Sequence, residues 1–259
     1  MAIKTIKKIH MKNKLIVSLF LSILLLSEAN AQDQSDNQKS PKKSFDTGDR
    51  PKDHFVLQLG MVNWLQKPDS IALKGISRSV GVYFMYDMGF KTDPRFSIGA
   101  GLGVGSDHVF FDKNAGRDLV INNINGVQFK KNTGADTSNV YKSIKLHTAY
   151  LELPVELRFM NKPDQPNKSF KAAIGMRVGT LITAVDKTRF QRDAAGNGPY
   201  NLKIKDRANF NNLRLAAMAR IGYGNFSAFV QYQLNDFIKE GRGPNEIRPL
   251  QFGITISGL

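Results

Sequence analysis

Eight separate stretches of the chain alternate, residue by residue, between apolar side chains and polar or very small ones. A period of two puts each set on its own face of an extended strand, whereas a helical face would recur about every 3.6 residues. The first stretch gathers Phe55, Leu57, Leu59 and Met61 on one face, and the second Val80, Val82, Phe84, Tyr86 and Met88. The third, "FSIGAGLGVGSDHVF", sets Phe96, Ile98, Ala100, Leu102 and Val104 against Gly99, Gly101, Gly103 and Gly105. In the fourth, "YLELPVELRF", Leu151, Leu153, Val155, Leu157 and Phe159 oppose Glu152, Pro154, Glu156 and Arg158. The remaining four carry their apolar faces on Phe170 to Val178, Leu213 to Tyr223, Phe226 to Leu234 and Leu250 to Ile256.

Strands of a membrane-crossing barrel need about 9–11 residues, with apolar side chains outward and polar ones inward. These eight stretches meet that length and pattern. The links alternate in length as well. Short polar turns follow the second, fourth and sixth strands, and long links follow the first, third, fifth and seventh. The longest cover residues 106–141 and 186–212. The expected fold is therefore an all-β, eight-stranded antiparallel up-and-down transmembrane β-barrel over residues 53–259.

At the short-turn ends, aromatic residues fall on the outward face: Phe55, Phe90, Phe96, Phe159, Phe170, Tyr223 and Phe226. Such a girdle marks the lipid–water boundary of a barrel, and a soluble sandwich has no reason to align rings at one end. The glycine stretch is not a phosphate-binding loop. Its alternation never breaks into a helix and no P-loop lysine follows. Its apolar face is expected to meet lipid, while its glycine face leaves room inside a narrow barrel.

The same phase turns Glu152, Glu156, Arg158, Arg177, Arg214 and Arg220 inward. Unpaired charges in a confined lumen are costly, so carboxylate–guanidinium pairs should lock the strands together. A gated pore lined by these residues is the alternative reading.

The amino terminus has a basic start, an apolar run from Leu15 to Leu26 and an Ala29-Asn30-Ala31 cleavage pattern, as in a signal peptide covering residues 1–31. Met11 offers an alternative start. Export across the inner membrane of a Gram-negative cell follows, with cleavage near Ala31. Residues 32–52 are polar, mixed in charge and poor in large apolar groups, so a disordered periplasmic lead-in is expected. Cysteine is absent, which excludes disulfides, thiolate metal sites and thiol nucleophiles.

The formal charge of +15 suggests a nucleic-acid binder until it is divided. The first 31 residues carry +4, and the rest is scattered among links rather than gathered on a helix, so no nucleic acid is expected. In the link over residues 186–212, Lys187, Arg189, Arg192, Lys203, Lys205 and Arg207 outnumber three aspartates. Basic loops outside the cell can pair with the phosphates of lipopolysaccharide. Outer-membrane lipid and lipopolysaccharide, together with envelope proteins, are the expected partners of a monomeric barrel.

"YLELPVELRF", "FKAAIGMRVGTL", the glycine strand and the closing "LQFGITISGL" resemble the PorT-like small outer-membrane β-barrel domain family over about residues 53–259. The resemblance implies an outer-membrane barrel, and the member that gives the family its name is associated with assembly of a secretion apparatus. The ending departs from the common barrel pattern, with Leu259 where phenylalanine is usual.

Enzyme and metal readings fare worse. Ser143 and His147 share a face but lie two strand repeats apart, about 13 Å, beyond hydrogen-bond reach. His108 is expected in a loop, and the run Ser106-Asp107-His108 is too contiguous for a triad. Asp112, Asn114 and Asp118 lack the glycine position and the closing glutamate of a calcium loop. No catalytic residue, cofactor or metal is expected. The leading expectation is a non-enzymatic structural or interaction protein of the outer membrane, accessory to secretion or envelope assembly. A narrow gated channel and a lipid-A-modifying barrel enzyme are the other two readings.

Overall fold

A computed structural model describes residues 55–68, 71–74, 76–112, 117–122, 126–131, 140–192, 196 and 198–258. The expected signal peptide and lead-in lie outside the described residues. Among the described residues eleven strands run in chain order: β1 (Phe55–Leu65), β2 (Arg78–Gly89), β3 (Phe96–Phe111), β4 (Arg117–Asn122), β5 (Gly126–Lys131), β6 (Val140–Met160), β7 (Phe170–Arg192), β8 (Tyr200–Lys205), β9 (Leu213–Tyr223), β10 (Phe226–Gln233) and β11 (Arg248–Ser257).

Eight of them close a ring, ordered β6-β3-β2-β1-β11-β10-β9-β7, with β7 pairing back onto β6. Every pairing in the ring is antiparallel. The all-β, eight-stranded barrel expected from the alternation is the fold of the chain. Closure removes every free edge from the ring, and this is how backbone N–H and C=O groups are satisfied where no water can reach them. Among the described residues no helix is long and apolar enough to cross a membrane.

The outer surface carries a belt of exposed apolar residues contributed by every ring strand, including Leu59, Phe84, Leu102, Leu153, Ile174, Ile221, Val230 and Ile254. At its short-turn edge, direct pairing sets Phe96 against Phe159, and Tyr223 against both Phe170 and Phe226. Phe55 packs edge-on against Phe84, with ring centroids 5.7 Å apart. Phe90 lies just beyond β2, its backbone N–H donating to Phe96.

Two expectations about the long links need correction. β3, β6 and β7 are 16, 21 and 23 residues long, so much of what reads as loop is strand. His108 lies in β3 rather than in a loop, and Asp186 to Arg192 extend β7. β8 adds to the open side of this extension, and β4 and β5 form a separate hairpin.

Above the belt the inside of the barrel is largely apolar, with Thr148, Asp186 and Thr188 as buried polar exceptions. Val62, Trp64, Val109, Phe111, Ile144, Leu146, Leu181 and Ala184 from the strands meet Ile71, Phe210, Phe237, Ile238 and Ile247 from the links in one buried cluster. Trp64 packs edge-on against Phe111 and tilted against Phe237, with centroids 5.6 and 5.3 Å apart. The links thus fold inward as a plug over the long-link end.

Candidate functional site

The six charged residues that the alternation turns inward all project into the lumen, and all are buried. They form two clusters. In the first, Glu156 accepts from Arg158 Nε at 3.0 Å and from Arg220 Nη2 at 2.8 Å. Arg158 also reaches Asp87 at 3.5 Å. In the second, Glu152 accepts from Arg214 Nη1 at 3.0 Å and from the Tyr83 hydroxyl at 2.7 Å, with Arg177 at 3.6 Å. Glu152, Arg177 and Arg214 expose only 1%, 2% and 1% of their surface.

Four further hydrogen-bonding partners, Asp107, Gln251, Gln231 and Gln58, complete the second cluster. Arg214 Nη2 donates to Asp107, which also accepts from Gln251 at 2.9 Å. Arg177 donates to Tyr83, Gln231 and Gln58 at 2.7, 2.7 and 2.8 Å. The guanidinium of Arg177 lies 4.3 Å from the centre of the Tyr83 ring, and that of Arg214 lies 3.7 Å from the centre of Tyr150. Arginine suits this role because its planar fork can serve several acceptors at once and stack on a ring.

Gln58, Tyr83, Asp107, Glu152, Arg177, Arg214, Gln231 and Gln251 come from β1, β2, β3, β6, β7, β9, β10 and β11, so every strand of the ring contributes one member. Across the two clusters, four guanidinium groups face four carboxylates. Asp107 and Asp87 are the two carboxylates that the sequence reading missed. Asp107 sits among polar residues at the end of the glycine stretch, and Asp87 is the one acid on β2, nine residues from its only other charge, Arg78.

The residues expected as a basic outer loop are held on strands. Lys187, Arg189 and Arg192 belong to β7, and Lys203 and Lys205 to β8. Pairing sets Lys187 directly beside Lys203, and Lys187 also beside Lys145 of β6. Arg207 lies just past β8 and turns back to donate to the carbonyls of Leu181 and Ile182, at 3.3 and 3.0 Å. Five of these six cations are therefore fixed by a β-ladder, and the sixth by backbone acceptors.

A serine–histidine contact does exist, though not the one weighed from the sequence. Ser106 Oγ lies 3.0 Å from His147 Nε2 and 3.5 Å from His108 Nε2. The two imidazoles stack with centroids 4.4 Å apart and planes 20° from parallel. Pairing of His108 with His147 across β3 and β6 brings them together, and single-strand spacing could not reveal it. Asp107, next in sequence, points through to the lumen and is held there by Arg214.

No curated protein matches the chain at a significant level. A family model described as an outer membrane protein beta-barrel domain matches residues 54–258, the whole of the ring from β1 to β11. With a closed antiparallel ring, an apolar outer belt and a charge-filled interior on the same residues, the chain belongs to the outer membrane protein beta-barrel domain family.

Proposed function

We propose that this outer-membrane barrel neither conducts nor catalyses, and that it acts by attachment, as an accessory of secretion or envelope assembly in the manner of PorT-like proteins. The observation that carries this reading is the double seal of the interior. A charge network joined by all eight strands closes the middle, and the apolar plug around Trp64, Phe111, Phe210 and Phe237 closes the long-link end. An eight-stranded interior is only just wide enough for side chains, and here they fill it. What remains available to partners is the outer wall and the two ends.

In-cell photo-crosslinking from Asp164 in the short-turn end and Lys239 in the long-link end tests attachment. A reproducible set of envelope-assembly or secretion components is expected, and adducts to lipid alone would contradict it.

The Ser106–His147 contact favours one second reading, a lipid-modifying enzyme. Two features weigh against it. A working dyad needs a group to orient the histidine, and the acid beside it, Asp107, is committed to Arg214 inside the barrel. The backbone N–H groups around Ser106 are in the β-ladder, which leaves them unfit for an oxyanion. Ser106→Ala is therefore expected to leave the mass spectrum of cellular lipid A and phospholipids unchanged. Loss of a lipid species in that variant would replace attachment with catalysis.

A further inference from the structure

Past Val104 on β3 and Leu151 on β6, the last exposed apolar residues of those strands, the outward face changes character. Strand pairing places Arg78, His108, His147, Val185 and Lys205 abreast in one row across β2, β3, β6, β7 and β8. The next row outward holds Phe110, Lys145, Lys187 and Lys203, and beyond it Ser143 pairs with Arg189. Directly opposed residues of an antiparallel pair share a face, so these side chains make one continuous wall.

Neighbouring strands are about 4.8 Å apart, and like charges directly opposite each other destabilise a sheet. Lys145, Lys187 and Lys203 nevertheless stand three abreast. Among the described residues no carboxylate forms an ion pair with Arg78, Lys145, Lys187, Arg189, Lys203 or Lys205. Among the described residues this is a fixed array of cations without a paired carboxylate, and the rim of an apolar belt is where lipid headgroups lie.

We propose that this wall binds the phosphate groups of an anionic glycolipid packed against the barrel, with Lys145 and Lys187 at its centre and Ser106, His108 and His147 as further donors. The inference rests on the membrane-embedded reading of the same barrel. Charge complementarity selects the occupant: a phosphorylated glycolipid supplies both acyl chains for the belt and phosphates for the rows above it.

The histidines give the site a pH signature. Burial first, then Lys145, Lys187 and Arg78, hold His108 below the ordinary imidazole range. At His147 burial acts first, then His108 and Lys187, and Lys145 adds to them, while Asp107 across the sheet opposes them. Two stacked rings among cations resist protonation, and an anion beside them eases it. Phosphate binding should therefore draw in protons and tighten as pH falls from 8 to 6.

The test uses the full folded barrel in detergent, titrated with bisphosphorylated lipid A, with the same lipid dephosphorylated, and with inorganic phosphate. Gel mobility before and after boiling checks that each variant is folded, so a failed barrel cannot pass for a failed site. The bisphosphorylated lipid should bind, and Lys145→Gln/Lys187→Gln should weaken it at least tenfold, while Lys162→Gln at the opposite end changes nothing. His108→Gln/His147→Gln should abolish the tightening at lower pH. Equal binding of dephosphorylated lipid, equal affinity for inorganic phosphate, or a folded lysine variant that binds like the parent would overturn the proposal.

Discussion

Replacing Arg214 with methionine is expected to lower the stability of the folded barrel by about 3–5 kcal/mol, the usual cost of removing one partner from a buried ion pair. Arg214 is the sole guanidinium that touches both Asp107 and Glu152 among the described residues. Its loss leaves Glu152 with Tyr83 and Arg177, but leaves Asp107 with only Gln251 as a donor. Asp107 is thus the stranded charge. Adding Asp107→Asn should recover part of the loss. Adding Glu156→Gln should not, because Glu156 lies four residues along β6, about 13 Å away, and answers to Arg158 and Arg220. Urea titration of the barrel in vesicles, followed by tryptophan fluorescence, measures the parent, the three single variants and the two double variants. Strict additivity of Arg214→Met and Asp107→Asn would mean that the two side chains are not coupled.

The glycine face of β3 yields the second large effect. A Cβ at Gly103 would collide with the backbone carbonyl of Val82 and with the ring and backbone of Tyr83 on β2. Backbone in a ladder cannot give way without breaking hydrogen bonds, and Tyr83 is itself tied to Glu152 and Arg177. Gly103→Leu should therefore cost about 3 kcal/mol or prevent closure of the ring, read as loss of the fast-migrating form on an unboiled gel. At Gly99 the obstacle is the guanidinium of Arg158, a side-chain end that can shift. Gly99→Ala should cost about 1 kcal/mol and keep the gel shift. Equal tolerance at both positions would show that close packing between β2 and β3 does not set the glycines.

The ring was legible because a membrane barrel displays its apolar residues. Along Leu151, Leu153, Val155 and Leu157 the outward set is oily and the inward set charged, so period and phase can both be read. The extensions of β6 and β7 were not legible because the phase inverts beyond the belt. On β6 the apolar residues change from odd positions to even ones, with Ile144, Leu146 and Tyr150 facing in while Lys145 and His147 face out. An inverted phase reads as broken alternation and hence as loop. On β7 a register irregularity opposite Ala149 and Tyr150 disturbs the period as well. The inward charges were legible from phase alone, whereas their pairing into two clusters depends on which strands adjoin across the lumen. The apolar plug left no periodic trace, since Phe210, Phe237 and Ile247 come from links. The His108–His147 stack likewise depends on register between strands about 40 residues apart.

Whether the interior is sealed can be decided by single-channel recording of the purified, heat-modifiable barrel in a planar bilayer under applied voltage. Glu152 with its arginines closes the middle and the Trp64 cluster closes the long-link end, so no conductance steps above baseline are expected from the parent protein. Steady, reproducible single-channel steps from that preparation would contradict a closed lumen and return these charged residues to the lining of a pore.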